Sequence, residues 1–149
     1  MADDFDVVTG AFSYSGAVIA RELQAAGRRV RTLTGHPGRA PAGTAIEVRP
    51  LNFADPAGLT EALRGARALV NTYWVRFAHG DVSHETAVAQ SRVLFQAAAA
   101  AGVRRVVHVS ITHPSSDSRY PYFRGKAAVE QALVDLAIFK QHRGEHRLS

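Results

Sequence analysis

The sequence predicts an α/β fold in which a parallel sheet of about five strands carries helices on both faces, the doubly wound arrangement. Three observations predict it. Apolar runs of strand length alternate with helix-period segments from Phe5 to about Leu136, with no internal repeat or low-complexity tract. The first run enters a helix through a turn of small residues, GAFSYSG. The later run VRRVVHVS is rich in valine, as a strand buried on both faces of a parallel sheet should be.

In the opening element, Phe5, Val7 and Val8 form an apolar run ending at Thr9 and Gly10, and Ile19, Leu23 and Ala26 recur at helical spacing until Gly27 offers a stop. Between them Gly10, Ser13 and Gly16 stand at the spacing GxxGxxG. Small residues there let a pyrophosphate approach backbone N–H groups and the positive end of the helix. Gly10 can take the sharp turn, and Gly16 lets the helix pack closely. Phe12, Tyr14 and Ser15 belong to the same stretch and join the cofactor-contact candidates. Ser13 sits where a middle glycine is usual, so either its Cβ crowds the phosphate or its hydroxyl donates to it. The plain alternative is any tight strand-to-helix connection, since two glycines at this separation are common.

After Gly27, RRVRTLTG supplies a second strand with Val30 and Leu33 inward, and GHPGRAPAG follows as a loop. An NAD site places an acidic residue after this strand for the ribose hydroxyls, whereas an NADP site carries arginine for the 2′-phosphate. No Asp or Glu occurs between Glu22 and Glu47, while Arg31 lies in the strand and Arg39 in the loop. NADP is therefore favoured over NAD. Arg39 is the better candidate, because Arg31 has the option of pointing away; an ordinary exposed loop arginine is the alternative.

Ile46 to Leu51 reads as a third strand whose Pro50 suits an edge, with Asn52 and Phe53 following. Asp55 and Pro56 open a short helix that Gly65 closes. Leu69 and Val70 mark a fourth strand leading into NTYWVRFAHGD, where Thr72 and Tyr73 are candidates to line a ligand site. Tyr73, Trp74 and Phe77 read equally as a satellite apolar cluster. From Ser83 to Ala101, Ala87, Ser91, Leu94 and Ala98 form one helical seam flanked by Val88 and Phe95, and Gly102 ends it. The fifth strand, VRRVVHVS, follows.

Composition narrows the function. A chain of 149 residues with 46% hydrophobic content can bury one good core, so one domain is expected. The absence of cysteine excludes disulfides and thiolate metal sites. Asp3, Asp4 and Asp6 stand where a signal peptide would be basic, and no segment approaches the roughly 20 apolar residues that span a bilayer. The expected location is cytoplasmic, without membrane attachment. The net charge of +5 comes from scattered arginines with no aromatic-interleaved basic groove, which argues against a nucleic-acid partner.

A second constellation lies after Ser110, where ITHPSSDSRYPYFRGKAAVEQAL runs from a polar loop into a helix. Tyr122 and Lys126 fall at i and i+4, on one helix face, where an ammonium lowers the phenol pKa and readies it to exchange a proton. Thr112 is placed to donate to a substrate oxygen, with Ser110 in reserve. Alone, a Tyr and a Lys at this spacing are usually a solvated helix face; the phosphate turn earlier in the chain gives the pair its weight. His142 and His146 lack a third ligand nearby, so no metal site is expected.

The joint order of VTGAFSYSG, LTGHPGR, AGVRRVVHVS and YFRGK resembles the short-chain dehydrogenase/reductase superfamily, in its extended or atypical branch of NAD-dependent epimerase/dehydratase and NmrA-like proteins. The resemblance runs from Phe5 to about Leu136. It implies a Rossmann-type domain with Gly10, Ser13 and Gly16 at the pyrophosphate, Tyr122 as acid/base, Lys126 on the nicotinamide ribose, and Thr112 orienting a carbonyl, alcohol or sugar-nucleotide substrate. It also implies hydride transfer, or, in NmrA-like relatives, a dinucleotide-binding regulator without turnover. Departures are Ser13 for glycine, Gly35 where NADP-binding relatives often carry arginine, and Asn52 where an aspartate often meets the adenine. Such proteins also continue for roughly another hundred residues, including a substrate lobe. The expectation is thus a binding domain over 1–139 and a polar tail over 140–149, the substrate lobe missing. Leu136 to Phe139 are a candidate remnant strand, and the fifth strand becomes an exposed edge that favours a homodimer.

Overall fold

The computed structural model describes residues 5–73, 84–109, 116–117, 119 and 121–142, apart from the side chains of residues 84, 121–123 and 137–142. In chain order the elements are β1 (Phe5–Thr9), α1 (Tyr14–Ala25), β2 (Arg29–Thr34), a 3-10 turn (Pro37–Arg39), β3 (Glu47–Pro50), α2 (Pro56–Leu63), β4 (Ala66–Asn71), α3 (His84–Ala101), β5 (Arg105–His108) and α4 (Pro121–His142). The strands form one parallel sheet in the order β3-β2-β1-β4-β5. The chain reverses its direction across the sheet between β1 and β4. The crevice of such a sheet opens at that reversal, outside the carboxyl ends of the strands.

Local chemistry accounts for the elements. All five residues of β1 are buried, as a central parallel strand requires. Asp55 caps α2 by accepting the Gly58 N–H at 3.1 Å, and Pro56 occupies the first turn, where its missing N–H costs nothing. The seam expected along α3 is present: Ala87, Ser91, Leu94 and Ala98 are completely buried. Phe5, Val7, Leu33, Leu69 and Val106 pack beneath Leu59, Leu63, Leu94, Phe95 and Val129, filling the face that carries α2, α3 and α4. On the opposite face Val8, Val30 and Val70 meet Ala20, Ile19 and Leu23 of α1.

Two expectations need correction. Strand β5 is an edge and is not buried on both faces: Val106 is fully buried, but Val107 is 43% exposed and Val109 38%. Alternate side chains point to opposite faces, and α1 packs over β1 and β2, leaving the β5 end of that face bare among the described residues. Second, Leu136 to Phe139 form no strand, because α4 continues through them to His142.

The amino end of the sheet is closed by charge. Asp6 is fully buried and accepts from two guanidiniums, Arg28 Nε at 3.0 Å and Arg67 Nη2 at 2.9 Å, so the starts of β2 and β4 are tied to β1. Arg31 lies over the Phe5 ring at 4.4 Å and donates to Glu47 and to the Ala62 carbonyl. Those bonds, with Arg49, hold the Glu47 carboxyl below its ordinary pKa against the opposing pull of burial. Arg31 is therefore engaged beside the core, consistent with the option that it points away from the loop after β2.

Candidate functional site

The β1–α1 turn is held by backbone geometry. Gly10 has φ +66°, a region that costs an L side chain strain, and its N–H donates to the Leu33 carbonyl at 3.0 Å. Thr32, buried in β2, locks the same turn: its hydroxyl donates to Val8 O at 2.7 Å and accepts from Ala11 N–H at 3.0 Å. Helix α1 then starts so close to the strand that a Cβ on Gly16 would lie 2.0 Å from Gly10 O. Only glycine fits there.

Ser13 precedes α1 but does not cap it with its side chain; its hydroxyl donates back to Gly10 O at 2.6 Å. The first-turn N–H groups of α1 thus keep their donors and the positive end of the helix dipole for a ligand. A cleft of about 200 Å³ opens at this point, lined by Thr9, Gly10, Ser13, Leu33, Thr34, Gly35, Leu51, Thr72 and Tyr73. A Cβ on Gly10 would point at Ser13 Oγ, 3.2 Å away, and Thr72 Oγ1, 3.4 Å away.

Of the residues singled out in the sequence, Gly10, Ser13, Thr72 and Tyr73 line this cleft, and Gly16 lies directly behind it. Phe12 is partly buried in the turn, Ser15 is exposed at the helix start, and Tyr14 is 93% exposed. Arg39 is exposed on the 3-10 turn after β2. Asn52 does not line the cleft: its side chain accepts from Ala54 N–H at 3.0 Å, and it borders a neighbouring groove with Asp55 and Gly58. Phe53 packs against the main core, with its ring centroid 5.0 Å from that of Tyr73. The Tyr73 hydroxyl donates to Gln90 Oε1 of α3, and burial raises the Tyr73 pKa. Trp74, Phe77, Ser110 and Thr112 lie outside the described residues, as does the side chain of Tyr122, whose backbone stands in the first turn of α4.

Lys126 is 4% exposed, and its ammonium donates to the Val109 carbonyl at 3.4 Å. Burial pulls its pKa down to about 8, with Glu130 pulling the other way. The base of α4 is thereby joined to the carboxyl end of β5.

Sequence reasoning missed a buried polar chain across β1, β4 and β5. Thr9 Oγ1 donates to Asn71 Oδ1 at 3.0 Å and accepts from Thr72 N–H at 2.8 Å, while Thr72 Oγ1 donates to Thr9 O at 2.6 Å. Asn71 Oδ1 also accepts from Tyr73 N–H at 3.1 Å, and Asn71 Nδ2 lies 3.2 Å from His108 Nδ1. A polar residue ending an apolar strand run was the available signal; its partners were not readable.

Residues 10–141 match a protein family described as NAD(P)H-binding. The chain belongs to the NAD(P)H-binding family. It is a Rossmann-type domain, and the glycine turn and its cleft lie within the matched span. "Sterol demethylase protein B" of Methylococcus capsulatus is 36% identical to this family member over 109 residues, 70% of this chain and 33% of that protein. The NADPH-dependent quinone oxidoreductase QOR2 of Escherichia coli, solved with NADPH, is 25% identical at a TM-score of 0.68, over 88% of this chain and 45% of that one. A short-chain dehydrogenase/reductase superfamily protein of Agrobacterium tumefaciens, solved with bound NAD, shares the fold at a TM-score of 0.70 and 23% identity, over 97% and 47% of the two chains. This NAD(P)H-binding chain thus spans about a third of that curated relative and just under half of those two structures. No helix among the described residues is long and apolar enough to cross a membrane, and no cluster of His, Asp or Glu there could hold a metal ion.

Proposed function

We propose that this domain binds NADP(H) in preference to NAD(H) and serves hydride transfer between the nicotinamide and a small carbonyl or alcohol, or a sugar nucleotide. The observation that carries the cofactor reading is the Gly10–Gly16 contact, which leaves no room for a Cβ and keeps the α1 amides open to an anion. In this reading Gly10, Ser13 and Gly16 receive the pyrophosphate, with Phe12, Tyr14 and Ser15 at the edge of the turn. Arg39 pairs with the 2′-phosphate, the loop being free of acids that would repel it. Asn52 and Phe53 border the adenine side, and Thr72 and Tyr73 form the opposite wall. The domain is read as 1–139, with α4 running on past that bound to His142.

A bound nicotinamide supplies or accepts the hydride. Tyr122 gives the substrate oxygen its proton or removes it, Thr112 donates to that oxygen, and the Lys126 ammonium holds the nicotinamide ribose and favours the phenolate. The near-complete burial of Lys126 supports its role, because a charge shielded from water acts more strongly on a neighbouring phenol. In the test, NADPH is titrated into the purified chain and turnover measured over a carbonyl panel. Tyr122→Phe should leave the dissociation constant unchanged and lower kcat by ~10²–10⁴.

A second reading, an NmrA-like regulator that binds the dinucleotide and signals to a partner, draws support from the bare β5 edge with Val107 and Val109 exposed. That surface equally suits a homodimer. Saturable NADPH binding without turnover, identical in Tyr122→Phe, would favour the regulator, and sedimentation would tell the dimer from the monomer.

A further inference from the structure

The polar chain at the carboxyl ends of β1, β4 and β5 has a direction that its fixed donors decide. A backbone N–H can only donate. Tyr73 N–H lies 3.1 Å from the Asn71 side chain, so the atom it meets is the carboxamide oxygen, and the Asn71 NH₂ faces His108. Thr72 N–H likewise makes Thr9 Oγ1 an acceptor, so the Thr9 proton goes to Asn71 Oδ1. Both chains of donation end on Asn71, whose remaining donor needs an acceptor. His108 Nδ1, 3.2 Å away, is that acceptor and must carry no proton; the neutral imidazole then holds its proton on Nε2, which is buried without a hydrogen-bond partner among the described residues. An imidazolium would set N–H against N–H there. Burial, and then Lys126, drive the His108 pKa down to about 4 against the pull of Glu130, which agrees.

We propose that His108 is a positioning residue for the dinucleotide cleft: through Asn71 it fixes the amides of Thr72 and Tyr73 and so the wall that β4 gives the cleft. The inference rests on the cofactor reading above for what occupies the cleft. Asn71 is completely buried, so its carboxamide has no water to replace a lost partner. With an acceptor at Nδ1 the amide has one orientation. Without one its NH₂ is left buried and unpaired while Tyr73 N–H and Thr9 still hold the oxygen, so the side chain shifts toward another acceptor and slackens both of those bonds. His108 is not among the residues that line the cleft; it reaches them through Asn71.

Two substitutions separate this role from mere filling of space. Asparagine places an amide oxygen where Nδ1 stands, whereas leucine fills the volume beside Phe95 with no acceptor. His108→Leu should weaken NADPH binding roughly tenfold and move the Tyr73 amide resonance in the free protein, with the thermal midpoint lowered by only a few degrees. His108→Asn should restore both the affinity and the resonance. In the parent chain, ¹⁵N spectra should find the His108 proton on Nε2. A proton on Nδ1, a leucine variant that binds NADPH like the parent, or an asparagine variant as weak as leucine would each overturn the proposal. If the leucine variant fails to fold, the parent's tautomer and the asparagine variant decide. Should the parent itself not bind NADPH, the cofactor reading falls, while the tautomer and the Tyr73 resonance still judge His108.

Discussion

The two ends of the sheet bury polar groups for different ends. At the amino end Asp6 is fully buried between Arg28 and Arg67, whose side chains are 20% and 50% exposed, a charged clamp at the end of the sheet opposite the cleft. At the carboxyl end Thr9, Thr32, Asn71 and His108 form neutral hydrogen bonds around a cleft lined by glycines, hydroxyl side chains and two leucines. A charge clamp holds strands together but would bias the field where an anion is to be received. Neutral, directional bonds set the shape of the β1–α1 turn and leave its potential to the helix dipole and backbone amides, the buried Lys126 ammonium standing apart between α4 and β5. The lesson is that burial of a polar residue does not by itself mark function; the kind of partner does.

The sharpest way to break this division is Gly16→Ala. The new methyl group would meet Gly10 O at 2.0 Å, so α1 must move off the turn. We expect a loss of ~3 kcal/mol in urea unfolding and no saturable NADPH binding. Full binding in a folded alanine variant would end the case for the turn as the anion site. Next in size is Asp6→Asn at the opposite end, which leaves two guanidiniums facing a neutral amide. Breaking a buried pair costs ~3–5 kcal/mol, and the exposure of Arg67 reduces this to ~2–3 kcal/mol. NADPH affinity should stay within about twofold of the parent, since the clamp is remote from the cleft; a large affinity loss would show that the ends are coupled.

Much of this arrangement was legible in the sequence, and what was not has a common cause. The β1–α1 turn, the Asp55 cap and the α3 seam are local, decided by residues within a turn or two of one another, and periodicity and capping chemistry locate them. The pairing of Thr9 with Asn71, of Asn71 with His108, and of Asp6 with Arg67 joins strands far apart in the chain, and only the strand order and register bring them together. The same limit explains β5. Its valines signal a buried strand, but whether a helix covers each face is a property of the sheet. Asn52 stands after β3 as expected, yet its side chain closes its own turn, a local competition that composition does not reveal.

A pH titration sharpens the comparison at a smaller scale. His108 in the folded chain has a pKa of about 4 against an ordinary 6.5, so the unfolded chain takes up the proton first. Its contribution is fully present above pH 6.5 and is lost as pH falls from 6.5 through 4. The loss should be ~1–3 kcal/mol, allowing for partial exposure of the ring. Urea midpoints measured across this window should fall in the parent and flatten in His108→Leu. An unchanged slope in that variant would place the acid sensitivity elsewhere. The Asp6 clamp offers a control, because substitution there should shift the curve downward without removing the His108 step.

The smallest effect expected is at Ser13, where the sequence departs from glycine inside the cleft itself. Its hydroxyl is spent on Gly10 O at 2.6 Å, so a diphosphate arriving at the α1 amides meets the Cβ and the back of the oxygen and gains no donor. Ser13→Gly removes that small obstruction and also the bond that braces the turn. An exposed hydrogen bond contributes ~0.5–1 kcal/mol, and the relief of crowding is of similar size and opposite sign. NADPH affinity should therefore change by less than about threefold, ~0.6 kcal/mol. A tenfold gain in Ser13→Gly would mean that the serine holds the ligand off, and a tenfold loss that its hydroxyl turns outward to the phosphate on binding. Either result would replace the fixed, backbone-built cradle inferred for this end of the sheet with one that a side chain opens or closes.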